Sequence, residues 1–88
     1  NNLWFEDGVI RAAQRLHGKS SDLSSSLQLL AKALHLNPYS IRIRKEYIRE
    51  CYRLGQYDFA NMAMPELEQL LTKDEWTIFL SELPSRSF

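Results

Sequence analysis

The side chains best suited to chemistry in this sequence are two histidines, His17 and His35, one cysteine, Cys51, and the carboxylates Glu66 and Glu68. Histidine can act as general base or metal ligand, a thiolate as nucleophile, and two facing carboxylates as an acid and a base. None is set in the pattern that such chemistry needs. His17 and His35 fall at the ends of different helical segments, where the helix dipole alone favours them. Cys51 lies on an apolar helical face and reads as a small buried hydrophobe. Glu66 and Glu68 are too close in sequence to share a helical face. The chain has no Cys/His cluster at metal-ligand spacing, no glycine-rich phosphate loop and no nucleophile motif. The expectation is a protein that is not an enzyme and holds no metal or cofactor.

Charge is the stronger pattern. At 100° per residue, Arg42, Lys45, Arg49 and Arg53 fall within about 80° of arc on one helix. Arg11, Arg15 and Lys19 recur every four residues on an earlier one. Such stripes attract acidic or phosphorylated segments at long range and hold them by charge-assisted hydrogen bonds. Glu46 and Glu50 lie close enough to neutralise part of the later stripe, and lysine and arginine also belong on any solvated helix face. Arg44 stands apart. It sits inside the apolar arc of Ile41, Tyr47, Ile48 and Cys51, so its head group must snorkel out or be paired, with Asp58 or Glu82 as the expected partner.

Composition limits the options further. With 88 residues the chain is one domain, and its 11 basic and 11 acidic residues cancel formally. A dedicated polyanion binder would carry a large basic excess. Yet residues 1–56 hold nine bases and five acids, and residues 57–88 two bases and six acids, so the molecule is dipolar. No apolar run approaches the roughly 20 residues of a membrane-spanning helix, and the opening residues lack the pattern of a secretory signal. A single cysteine cannot form an internal disulfide, which points to a reducing intracellular setting, cytoplasm or nucleus.

Only three glycines and three prolines punctuate the chain and β-branched runs are absent, which predicts an all-α protein. A first helix is expected over residues 3–18 with Trp4, Ile10, Ala13, Leu16 and His17 on one face, ended by Gly18. A serine-rich stretch from Lys19 to Ser26 follows, with Ser21 or Asp22 as cap and its serines open to phosphorylation or simply solvated. The second helix, carrying Leu23, Leu27, Leu30, Ala33 and Leu34, stops at Asn37-Pro38. Ser40 caps a third bearing Ile41, Ile48, Cys51 and Tyr52, and Leu54-Gly55-Gln56 turns the chain. A fourth, from Tyr57 to about Leu71 through Ala60, Met64, Leu67 and Leu70, contains Pro65, where it must bend or divide. Thr72 to Glu75 has capping-box spacing for a fifth with Trp76, Phe79, Leu80 and Leu83. Pro84 closes the fold before a short tail.

Short turns between such helices predict hairpins in series. The run Tyr52-Arg53-Leu54-Gly55-Gln56-Tyr57-Asp58-Phe59-Ala60 resembles the centre of a tetratricopeptide repeat, and Ala33-Leu34-His35-Leu36-Asn37-Pro38 resembles its end. On this frame residues 7–40 form one repeat, residues 41–74 the next, and residues 75–83 a capping helix. The small twentieth position is Ser26 and then Ala60. The sequence departs from the family at Ile10 and Arg44, Gln14 and Ile48, and Thr72. The resemblance implies a right-handed array of antiparallel helical hairpins, about five helices in all, in which the first helix of each hairpin lines a concave groove. Both basic stripes fall on those helices, so Arg11, Arg15, Lys19, Arg42, Lys45, Arg49 and Arg53 would line it, with Tyr52 as an aromatic contact.

The expected function is that of a protein-interaction module, a C-terminal part of a larger scaffold or adaptor, holding an acidic or phosphorylated segment of another protein. Single-stranded RNA is the first rival ligand, weakened by the zero net charge and by Gly18 standing where Tyr52 recurs. The second rival is a structural role, with Trp4, Phe5, Trp76 and Phe79 as end surfaces for self-association or for missing upstream repeats. No membrane is expected as partner.

Overall fold

The computed structural model describes the backbone of residues 2–17 and 25–83 and the side chains of residues 5–15 and 25–83. Lys19, the caps Ser21 and Asp22, Gly18, Leu23, the serines before Ser25, Pro84 and the tail lie outside these residues, as do the side chains of Trp4, Leu16 and His17.

The described residues are helical with short links: α1 (Asn2–His17), α2 (Ser25–Leu36), α3 (Ile41–Arg53), α4 (Tyr57–Leu70) and α5 (Lys73–Glu82). Each helix packs on the next, and α1 also touches α3. The result is a slab of 41 × 36 × 18 Å. The ends of α2 and α4 fall thirty-four residues apart, whereas those of α1 and α3 fall thirty-six apart.

Local chemistry sets the boundaries. Ser40 caps α3, its hydroxyl accepting from the Ile43 N–H at 3.2 Å. The chain leaves α3 through Gly55 at φ 74, a left-handed conformation that glycine adopts without Cβ strain. Gln56 N–H donates to Cys51 O at 2.8 Å and Gly55 N–H to Tyr52 O at 3.3 Å, the paired bonds of a Schellman end. Thr72 and Glu75 form a reciprocal capping box at the start of α5, with bonds of 2.9 and 3.2 Å. That exchange also holds the Glu75 carboxyl below its ordinary range, because the Thr72 backbone N–H donates to it. Helix α4 is continuous through Pro65. Proline cannot donate to the Asn61 carbonyl, and both residues are exposed, so water can satisfy that oxygen.

The core lies where α3, α4 and α5 meet, around Ile48, Cys51, Ala60, Ala63, Leu67 and Phe79. Small side chains let the helices approach closely. Ser26 and Ala60, the small residues of the repeat frame, are both buried. Two carboxylates are buried as well, and each meets a serine. Ser26 Oγ donates to Glu50 Oε2, and Ser40 Oγ donates to Glu6 Oε2. Arg53 adds a bond to Glu50 at 3.1 Å, so these anions are satisfied as burial demands.

Arg44, only 5% exposed, is paired, but to neither expected partner. Nη2 donates to Glu66 Oε2 and to Pro38 O, both at 3.0 Å, and Nη1 donates to Ala63 O at 3.3 Å. The antiparallel run of α3 and α4 explains the difference. Arg44 is in the first turn of α3 and so lies beside the later half of α4, away from Asp58.

Candidate functional site

The basic residues of α3 are largely engaged within the chain. Arg42 reaches back to α1, with Nη2 2.5 Å from Asp7 Oδ1 and Nη1 4.0 Å from Glu6 Oε1. Arg49 reaches forward to α5, meeting Glu82 at 3.2 Å and its own-helix Glu46 at 2.7 Å. Its guanidinium also lies 5.5 Å from the Phe79 ring centre, and the Lys45 ammonium 5.9 Å from the same ring. Arg53 pairs with Glu50. These contacts tie α1 and α5 to either side of α3. On α1, Arg11 and Arg15 are exposed and make no ion pair among the described residues. Tyr52 is half-buried and packs edge-on to Tyr57 at 5.3 Å.

The aromatic end surface needs correction at Phe79. Its ring is 1% exposed and belongs to the core, because α5 turns back and inserts it against α3 and α4. Trp76 is half-buried beside it at 6.0 Å. The apolar groups that α5 leaves in water are Ile78 and Leu80, and Phe5 is partly exposed on α1.

A different surface is both concave and apolar. Helices α2 and α4 form the walls of a groove whose floor is α3, in two adjoining hollows of about 460 and 520 Å³. At one end Leu27 and Gln28 of α2 stand across from Gln56 and Phe59. At the other, Leu34 and His35 stand across from Met62, Ala63 and Glu66. Helices α2 and α4 therefore run parallel, with Tyr47 on the floor where the hollows meet. Ala31 and Phe59 also line both, which places them at one height on opposite walls. The α4 wall leaves Phe59 49% and Met62 76% exposed. Among the expected site residues none lines this groove, although His35, Arg44, Tyr47 and Glu66, noted in the sequence for other reasons, do. A signal was present in Phe59 and Met62, which stand three apart on the flank of α4 beside its buried stripe.

Tyr47 on the floor and Cys51, buried in the core one turn further along α3, both have raised pKa values. Burial pushes the Cys51 thiol up from 9.0 to about 11, with the hydrogen bond to Tyr47 working against it. Burial likewise pushes the Tyr47 phenol up from 10.0 to about 12, helped by the neighbouring Cys51. A thiol held protonated and fully buried is a poor nucleophile. At pH 8, labelling of Cys51 by an aromatic disulfide reagent should proceed only at the rate of unfolding. Labelling at the speed of a free thiol would show the site to be open. The sign of the pH effect follows from both raised values. Below about pH 9 both states keep the Cys51 proton and stability is unaffected. From about 9 to 11 the unfolded thiol ionises before the folded one, so stability falls as pH rises.

Among the described residues no group of three or more His, Cys, Asp or Glu is placed to hold a metal ion, and no helix is long and apolar enough to cross a membrane. No family model, curated protein or solved structure matches this chain.

Proposed function

We propose that this chain is a non-enzymatic protein-interaction module and that its docking surface is the groove between α2 and α4. The observation that carries this is the exposure of Met62 and Phe59 on the wall of a groove whose two hollows are already lined by Leu27, Leu34 and Tyr47. Scattered exposed apolar groups are ordinary, but a contiguous concave set is the form that takes up a partner's apolar side chains. The tetratricopeptide-like array of hairpins, placed in a reducing compartment of cytoplasm or nucleus, supplies a rigid frame for it. Capture from a nuclease-treated lysate on immobilised domain tests this directly. Met62→Glu puts a charge at a position that costs the fold little, and a partner seated there should bind about 100-fold more weakly. An identical catch from wild type and variant would overturn the groove as docking surface.

A second surface is favoured by Arg11 and Arg15, exposed and without ion pairs among the described residues. An acidic or phosphorylated segment along α1 and Lys45 would be lost on Arg11→Glu/Arg15→Glu and would weaken steeply with salt.

A further inference from the structure

The two walls of the groove differ in size and in charge, and each supplies what the other lacks. The α2 wall presents the small Ala31 at mid-groove, with His35 on the wall and Lys32 one residue outside it. The α4 wall presents Phe59 at the same height, with Glu66 on the wall and Asp58 just outside. One rim therefore carries a lysine and an imidazole and the other two carboxylates, of which Glu66 also pairs with Arg44. From this complementarity we infer that the occupant of the groove is a second copy of this chain, docked face to face about a two-fold axis that runs along the groove.

Such an axis lays each copy's α4 over the other's α2 while keeping their heights equal. Phe59 of each copy then meets Ala31 of the other, a large side chain against a small one. Lys32 meets Asp58, while His35 comes level with Met62 and Ala63, about one turn short of Glu66. The other in-plane axis, across the groove, would set α2 on α2 and α4 on α4, bringing like charges together. An isologous contact of this kind closes on itself, so the product is a dimer and not a fibre. The fold gains from it. The buried apolar set among the described residues includes four small side chains, Ala13, Ala33, Ala60 and Ala63, while Met62 and Phe59 stand in water, and a small domain with a thin core gains the most from added burial.

The inference rests on the groove being a docking surface, and the experiment separates the two. Sedimentation equilibrium of the purified chain should give twice the chain mass at high micromolar concentration and dissociation on dilution. Met62→Glu should be monomeric with unchanged helicity. Lys32→Glu or Asp58→Lys alone should weaken the dimer about tenfold, and the two together should restore it. A wild-type chain that stays monomeric overturns the second copy as occupant. If its lysate partners are nonetheless lost by Met62→Glu, the groove remains a docking surface for another protein. A dimer that survives Met62→Glu, or that the charge swap fails to restore, overturns this geometry.

Discussion

Phe79→Ala is expected to destabilise the domain by about 3–5 kcal/mol, the range for deleting a large aromatic side chain from a packed core. Backbone contact between α4 and α5 is slight. Seating of the last helix therefore falls chiefly to the Phe79 ring, set in the cluster of Ile48, Cys51 and Leu67 and covered by Lys45 and Arg49, with Trp76 and Leu83 packed at its margin. Removing that ring opens a cavity and also uncovers the cluster beneath it. For a domain of this size the melting temperature should fall by at least about 12 °C, followed by far-ultraviolet circular dichroism. Phe79→Leu, which keeps most of the volume, should lose much less. A drop of under about 1 kcal/mol for Phe79→Ala would mean that α5 does not seal the core.

Arg44→Met should cost about 2–3 kcal/mol. Methionine refills most of the space, so the loss reports chiefly on two carbonyls that lose a charged donor, Ala63 O in a buried setting and Pro38 O in a part-buried one. Arg44 Nε has no partner among the described residues, which offsets part of the arginine's own contribution. The ion pair itself is the smaller part, because the Glu66 side chain is 64% exposed and screened by water. Glu66→Gln should accordingly cost under about 1 kcal/mol in chemical denaturation. Equal losses from both variants would assign the role to the ion pair instead of the carbonyls.

These two residues also mark how far sequence patterns reach. Helix existence and most boundaries were legible because caps are short-range: Ser40, Gly55 and the Thr72–Glu75 pair each act within a few residues of themselves. Pairing between helices was less legible. Arg44 was recognisable as a buried cation from its place among apolar neighbours, but its partner depends on the register of α3 against α4, which no local pattern encodes. The same holds for Glu6 and Glu50, whose serine partners come from other helices. The α3 stripe was visible as a charge pattern, whereas its engagement by Asp7 and Glu82 depends on α1 and α5 folding to either side. Phe79 reads from the sequence as part of an end surface, yet α5 turns inward and buries it. The groove was hidden for a related reason. It is made by two helices some thirty residues apart in sequence, and the signal in either is only an apolar pair flanking the buried stripe of an amphipathic helix.

Amide chemical shifts followed from dilute to concentrated solution would test the central claim most directly, because they locate contact residue by residue in the unaltered chain. Concentration-dependent shifts should cluster at Leu27, Ala31, Leu34, Phe59 and Met62 along the walls of the groove. Shifts confined to Ile78 and Leu80, or to Arg11 and Arg15, would place the contact on the exposed face of α5 or on α1 and contradict the groove as the working surface. A spectrum unchanged across the range would contradict self-association itself.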